Sequence, residues 1–395
     1  MNKKKIILIS VAVFLIVIII FTNIGGHKVT LRWEPVEGKS KTFDSVELNV
    51  YIENSGSMDG YMCAGSNLKD AVFDYVSDLE KESKKTSLFY INSQVIPCSG
   101  TLENYIQNLN PASFATTGGD RANTDLRHIF EMMLQRHKAK SITIFVSDCI
   151  LDVQQNASAF FGNCQVSIKN SFTRALKQNP DLGVQIIKLQ SKFNGYWYCG
   201  VNKELLTNVK RPYYIWVIGD KYLLAQINKN IPYNEIIGGV SDYCAYSSSE
   251  GKIPFAIDKD KYVVNSHTNK ISVEIAADMS KSLQSNVVLT NLHNYSAKEP
   301  AQVSVVSSQR IMATNSKYSH LITVEIEKPQ SLNSASISFN YPELPSWVID
   351  TNEDTGKHIK QNLGKTTGLR YLVQGVAEAY KSSAPYGEIS FEIKK

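Results

Sequence analysis

The chain has 395 residues, of which 43% are hydrophobic and 20% are charged. This composition is that of a folded globular protein, and the length predicts two or three domains rather than one core. The net charge of +5 is small for this length, and the sequence shows no basic stripe interleaved with aromatic residues, so nucleic-acid binding is not expected.

The first predicted element is an apolar run over residues 6–21, which follows three lysines and is interrupted only by Ser10. Its length is near the lower limit for a membrane-spanning helix. Because residues 20–23 lack the small side chains of a cleavage site, we favour an uncleaved signal anchor over residues 1–26, with a cleaved signal peptide as the alternative. The lysines predict a cytoplasmic N-terminus, so the bulk of a single-pass membrane protein would face the periplasm or the cell surface.

The region 44–230 alternates predicted strands with predicted helices. This alternation predicts an α/β fold with a doubly wound, mainly parallel sheet of the Rossmann type and right-handed crossovers. The segment 141–146 is apolar almost throughout, as in a strand buried on both faces of a parallel sheet. The predicted strands span 46–52, 87–96 (as one or two strands), 141–146, 184–189 and 213–218, and the predicted helices span 68–79, 102–109, 126–133 and 156–177.

The region 255–345 has a different sequence pattern, with short strand-like segments separated by turns rich in Asn, Ser and Lys. This pattern predicts a small β-sandwich domain. Residues 346–395 add a helix and a final strand at 389–393, and we expect the helix to pack near the sandwich. The strands predicted in the sandwich include 271–275, 303–306, 321–326 and 337–341, and the apolar stripe of the helix consists of Leu369, Leu372, Val373, Val376 and Tyr380.

The cysteines form no C-x-x-C pair and no zinc-like spacing. Cys149 ends an apolar strand and is expected to be a small buried hydrophobic residue. An oxidising compartment would allow the others to form one or two disulfide bridges, but the spacing does not give their pairing. The six residues are Cys63, Cys98, Cys149, Cys164, Cys199 and Cys244.

Polar side chains lie where a doubly wound sheet would gather them, at the carboxyl ends of its strands. Glu53, Ser55 and Ser57 follow the first strand, Thr124 precedes a helix, and Asp148 follows the strand at 141–146. Together they predict a site of oxygen ligands only, which suits Mg²⁺, Mn²⁺ or Ca²⁺.

Each of these residues also has a purely structural interpretation. The two serines could cap the following helix or supply turn hydrogen bonds, and Thr124 could be the N-cap of its helix, with Asp125 favourable in the first turn. Asp148 could close a turn. The joint placement of the residues favours the metal site.

The arrangement resembles a von Willebrand factor A (vWA) domain with a metal-ion-dependent adhesion site (MIDAS). The family pattern is Asp-x-Ser-x-Ser after the first strand, then a Thr about seventy residues later, then an Asp after the next central strand. The segment 53–57 matches the first element with Glu53 in place of Asp, Thr124 resembles the second with residues inserted after two glycines, and Asp148 resembles the third. The resemblance covers residues 44–230. Glu53 departs from the pattern, and Asp59 is near enough in sequence to substitute for it.

The resemblance implies a divalent cation with one open position, which an acidic residue of a protein partner would fill. We therefore expect a bacterial, membrane-anchored binding module of a cell-envelope assembly, and not an enzyme. The sequence has no G-x-S-x-G elbow, no P-loop and no H-E-x-x-H motif. Two alternatives stay open: a structural scaffold with an empty metal site, and a metal-dependent hydrolase that uses Asp148 and Glu53.

Overall fold

A computed structural model describes residues 18–394, except for 25–26, 35, 40, 44, 123, 154–156, 201, 266 and 314–315. Most of the signal anchor predicted over residues 1–26, namely 1–17 and 25–26, therefore lies outside the described residues. Its last part forms strand β1 (Ile18–Ile24), which pairs antiparallel with β2 (His27–Trp33). The helix prediction is wrong for this part, where β-branched and aromatic residues favour an extended chain. None of the helices in the described residues is long and apolar enough to cross a membrane.

A seven-stranded sheet forms the centre of an α/β unit, in the order β5-β4-β3-β6-β8-β7-β9. The first strand of the unit and the apolar central strand lie within one residue of their predicted positions, which confirms those two predictions. The strands are β3 (Glu47–Glu53), β4 (Lys85–Ile91), β5 (Val95–Cys98), β6 (Ser141–Ser147), β7 (Leu182–Cys199), β8 (Asn202–Asp220) and β9 (Val240–Ser247).

The sheet is mixed, so the prediction of a mainly parallel sheet was wrong. Strand β3 pairs in parallel with β4 and β6, whereas the other four pairings in the sheet are antiparallel. The reason is a long hairpin of β7 and β8, which places β8 rather than β7 beside β6. Continuous apolar runs occur in both β6 and β8, which pair antiparallel, so such a run does not reveal whether its strand has parallel neighbours.

Helices cover both faces of this sheet, as the α/β prediction required. Helices α1 and α6 contribute to the buried cluster on one face, and α4 and α5 contribute to the cluster on the other. The six helices are α1 (Asn67–Lys81), α2 (Leu102–Gln107), α3 (Pro111–Ala115), α4 (Leu126–Arg136), α5 (Ala157–Gln178) and α6 (Lys221–Asn230).

A β-sandwich follows, as predicted, but its strands come from both sides of the α/β unit in the sequence. One sheet has the order β1-β2-β19-β16-β13, with β10 beside β19, and the other has the order β11-β12-β15-β14. The α/β unit is therefore inserted between β2 and β10. The remaining strands are β10 (Gly251–Lys252), β11 (Phe255–Asn265), β12 (Lys270–Ala277), β13 (Tyr295–Ala297), β14 (Val303–Arg310), β15 (His320–Glu327), β16 (Ser334–Phe339), β17 (Asn352–Glu353), β18 (Thr366–Thr367) and β19 (Gly387–Lys394), and a short helix α7 spans Asn286–Thr290.

The C-terminal segment adds helices α8 (Ser346–Thr351) and α9 (Leu369–Tyr380). The expectation that α9 packs near the sandwich was wrong, because its apolar stripe belongs to the same buried cluster as α5. Gly375 allows the close approach, since a Cβ atom there would lie 2.6 Å from the carbonyl oxygen of Gln165. Tyr371 stacks on Phe161 of α5 with ring centroids 4.6 Å apart.

All six cysteines are free thiols among the described residues, so the structure contains none of the bridges that the sequence left open. Cys149 is fully buried, as predicted, and the indole nitrogen of Trp216 lies 3.3 Å from its sulfur.

Candidate functional site

The two candidate carboxylates lie side by side because their strands are parallel neighbours. Glu53 is the last residue of β3 and Asp148 directly follows β6. Carboxyl ends of adjacent parallel strands meet at one edge of a sheet. The hydroxyl group of Ser147 donates to the Glu53 carboxyl group, which ties the two strand ends together.

Ser55 and Ser57 lie in the loop that leaves β3, with their hydroxyl oxygens 3.1 Å apart. Ser57 opens a short 3₁₀ helix, Ser57–Met62, whose N-cap is Gly56, without a side-chain capping bond. The N-cap of α1 is Ser66. Neither serine is therefore a helix cap in this structure, which removes that structural interpretation.

Thr124 lies beside this loop. Its hydroxyl donates to the carbonyl oxygen of Arg121 at 3.5 Å, and the backbone N–H of Gly56 donates to the same oxygen at 3.2 Å. The N-cap of α4 is Asp125, whose carboxylate accepts from Arg127 N at 2.9 Å, so the interpretation of Thr124 as the cap was wrong. Within the described contacts, the Thr124 hydroxyl does not bond directly to the serines or carboxylates of the site.

Burial dominates the electrostatics of the two carboxyl groups. Burial, and then the neighbouring charge of Asp148, raise the pKa of Glu53 to about 8, against hydrogen bonds from Ser147 and Ser55. Burial also raises the pKa of Asp148, against the opposing effect of the neighbouring Ser57 hydroxyl group. One oxygen of Asp148, Oδ1, accepts from Ile150 N at 3.3 Å, while Oδ2 is buried and has no hydrogen-bond partner among the described residues.

Arg211 is a charged neighbour that the sequence did not reveal. This side chain on β8 is 1% exposed, and its Nη1 donates to the Leu363 carbonyl oxygen at 3.2 Å. Its Nε and Nη2 are buried without a partner among the described residues. The guanidinium charge lowers the pKa of Asp148, although burial has the larger and opposite effect. An arginine normally predicts an exposed position, so no local signal marked it as part of the site.

A second arginine, Arg121, holds the Thr124 loop against the loop after β3. Its guanidinium donates to the side chain of Asn54, to the carbonyl oxygen of Ser55 at 3.3 Å, and to the carboxylate of Asp59. Asp59 therefore pairs with Arg121, and among the described residues its carboxylate has no hydrogen bond to Ser55, Ser57 or Asp148 that would let it substitute for Glu53. No local sequence pattern marks Arg121, because its partners come together only in the folded chain.

The hairpin of β7 and β8 covers the site. Residues 190–199 and 202–212 extend beyond the sheet as a two-stranded ribbon. Phe193 lies edge-on against Tyr61, with ring centroids 4.9 Å apart, and the Tyr198 ring lies against Gly56, where a Cβ atom would be 3.5 Å from it.

This cover leaves the oxygen-bearing side chains almost inaccessible: Glu53, Ser55, Ser57 and Asp148 are between 1% and 7% exposed. The predicted open coordination position therefore does not face free solvent. The predicted strands at 184–189 and 213–218 correspond only to the inner parts of β7 and β8, and the ribbon was not predicted.

No group of three or more His, Cys, Asp or Glu side chains in the described part of the chain is placed to hold a metal ion. A cation at this site would therefore depend on hydroxyl oxygens as well as on the two carboxylates. Comparison with known proteins adds no further assignment: no protein-family model matches the chain, and no curated protein is significantly similar to it.

Proposed function

We propose that this chain is a vWA-like binding module, rather than an enzyme, that holds a divalent cation and uses it to bind an acidic residue of a protein partner. Glu53, Ser55, Ser57 and Asp148 would supply the oxygen ligands, with Thr124 at the rim. Mg²⁺ is the first candidate, and Mn²⁺ and Ca²⁺ share the preference for oxygen. The apolar residues 6–17, which precede β1, favour a membrane-anchored module, and the resemblance to vWA domains favours a bacterial cell-envelope assembly.

The observation that carries the proposal is Oδ2 of Asp148, which has no hydrogen-bond partner among the described residues and lies beside a second buried carboxyl group. A buried carboxylate without a full set of partners is costly, and two of them repel each other. A divalent cation would satisfy the free oxygen and relieve the repulsion. When bound, it would supply a positive centre for a carboxylate of the partner.

Arg211 supports the competing scaffold hypothesis. With Glu53 protonated, as its raised pKa allows, the charges of Asp148 and Arg211 cancel and the site is neutral without a metal. Such a network would be a structural element of the sheet edge. The two hypotheses differ in whether the protein responds to divalent cations.

The deciding experiment compares thermal unfolding of the purified full chain in EDTA and in millimolar Mg²⁺ or Mn²⁺. A ligand present at a hundredfold excess over its Kd stabilises the folded state by about 2.7 kcal/mol, which corresponds to a rise of about 5–10 °C for a domain of this size. Asp148→Asn should abolish the rise. Asparagine is preferable to alanine here, because it keeps the volume and the acceptor for Ile150 N.

Glu53→Asp should strengthen the response if the longer side chain fits the cation poorly. If the unfolding midpoint of both the wild type and Glu53→Asp is indifferent to every divalent cation tested, the scaffold hypothesis is correct instead.

A further inference from the structure

The ribbon over the site has two faces of different chemistry. The pairing register puts Tyr196 opposite Leu205 and Tyr198 opposite Lys203, so these four side chains share the outer face. The inner face carries Trp197, Cys199 and Leu206, which are buried against the rest of the protein. An isolated two-stranded hairpin is marginal in water, so the inner face holds the ribbon in place and the outer face is not needed for that purpose.

The outer face is unusually apolar for an exposed surface. Tyr196, Tyr198 and Leu205 are 44%, 37% and 54% exposed. The ammonium group of Lys203 lies 4.1 Å from the ring centroid of Tyr196 and 5.4 Å from that of Tyr198. Adjacent exposed aromatic and aliphatic side chains mark interaction surfaces more often than scattered ones do.

The charge of this face is positive. Lys192 and Lys210 are cross-strand partners on the outer side, next to the aromatic residues. Among the described residues, no carboxylate forms an ion pair with either of them or with Lys203, whereas Glu204 on the inner side pairs with Lys360 at 2.7 Å. We call the six residues Lys192, Tyr196, Tyr198, Lys203, Leu205 and Lys210 the ribbon patch.

We propose that the ribbon patch is the docking surface for an acidic segment of a protein partner that carries an aromatic or aliphatic residue beside its carboxylates. Three unpaired lysines complement the acidic groups, and the tyrosines and Leu205 would cover the apolar side chain. The patch is continuous with the candidate site, because the Tyr198 ring touches Gly56 between Ser55 and Ser57. That the partner reaches the cation from this patch rests on the proposed function.

A lipid surface is the less favoured occupant, because Gly200 and Asn202, at the tip of the ribbon, are bonded to the rest of the protein. Gly200 N donates to the Asp152 carboxylate, and the side-chain amide of Asn202 donates to the carbonyl oxygen of Gly356 at 2.8 Å. Gly200 and Asn202 are therefore both bonded to the rest of the protein, whereas the outer face of the flank is exposed.

The test selects random displayed peptides on the purified full chain in Mg²⁺. We expect the selected peptides to be rich in Asp or Glu next to Phe, Tyr, Trp or Leu. Their affinity should fall about tenfold in the double variant Tyr196→Ser/Leu205→Ser and in Lys203→Glu. Two matched controls should bind the peptides normally. Lys317→Glu changes a lysine whose ammonium group lies 5.8 Å from the Tyr318 ring centroid, and Val287→Ser removes an exposed apolar side chain outside the ribbon.

The outcomes separate this inference from the proposed function. If EDTA and Asp148→Asn weaken peptide binding while the ribbon variants do not, the ribbon patch is not the docking surface and the metal site stands. If the ribbon variants weaken binding while EDTA and Asp148→Asn do not, the docking surface stands without the cation. Failure to select peptides, selection of basic or neutral ones, or binding only to phosphatidylglycerol vesicles would overturn the inference.

Discussion

Replacing Glu53 with glutamine should remove a pH dependence of stability that the buried carboxyl group imposes when no divalent cation is present. Burial and the Asp148 charge raise the pKa of Glu53 to about 8 in the folded state. The same group titrates near its ordinary value, about 4.3, in the unfolded chain. A raised folded-state pKa means that the stabilisation is fully present below the unfolded pKa and is lost as the pH rises toward 8.

The expected magnitude follows from the number of protons bound. Between pH 5.5 and 7.5 the folded state keeps the Glu53 proton and the unfolded state does not, so the free energy of unfolding falls by about 1.4 kcal/mol per pH unit from this group alone. His137 and His320 oppose this slope below pH 6.5, because burial lowers the pKa of each to about 4. The difference between wild type and Glu53→Gln cancels the histidine contributions.

The assay is urea unfolding of the full chain at several pH values in EDTA and in Mg²⁺. In EDTA, the free energy of unfolding of Glu53→Gln, relative to that of the wild type, should rise by about 2–3 kcal/mol from pH 5.5 to pH 7.5. In Mg²⁺ the wild-type slope should flatten, because cation binding displaces the proton. Replacement of the exposed Glu343 by Gln is the control and should leave the slope unchanged. Parallel pH profiles for the wild type and Glu53→Gln would refute the reasoning.

Three further predictions concern the close contact at Gly60, the buried His320 of the sandwich and the loop held by Arg121. Gly60→Ala should destabilise the fold by about 1–3 kcal/mol in urea unfolding, because the added Cβ would lie 2.3 Å from the Phe193 ring. Gly162→Ala in α5 is the control: no atom lies within 4 Å of its Cβ position, so this change should stabilise the fold by about 0.5–1 kcal/mol. Equal effects of the two would contradict the close contact. The wild type should lose stability between pH 6.5 and pH 4, because burial lowers the pKa of His320 to about 4. In His320→Gln this loss should be smaller by up to about 3 kcal/mol, measured as the difference between the two unfolding profiles. Arg121→Gln should reduce the Mg²⁺-induced rise of the thermal midpoint, and an unchanged rise would show that the loop holds its position without it.

The positions of several helices and strands were predictable from the sequence, but the order of the strands in the sheets was not. The helix predicted at 156–177 is α5, and the strands at 46–52 and 141–146 are β3 and β6, because hydrophobic periodicity is local information. The order of strands in a sheet depends on contacts distant in sequence. The pairing of β8 with β6 and the pairing of β2 with β19 across the whole α/β unit therefore left no local pattern to detect.

The same distinction applies to the site. The juxtaposition of Glu53 and Asp148 was predictable, since both follow apolar strands that a doubly wound sheet places side by side. The positions of Arg211 and Arg121 were not, because a buried or clamping arginine differs from an exposed one only in its tertiary partners. These two residues decide much of the chemistry: one adds a positive charge near Asp148, and the other holds the Thr124 loop in place.

The burial of the site and the exposure of the ribbon patch are consequences of the same arrangement. A partner that displaced the ribbon would expose Trp197, Cys199 and Leu206, at a cost of about 25 cal/mol for each Å² of apolar surface. A partner that approached over the flank would meet Tyr198 and Gly56 first, without that cost. Cation binding and partner binding would then act on the same loop. By linkage, a cation that strengthens partner binding must be held more tightly when the partner is bound, so the two affinities should rise by the same factor.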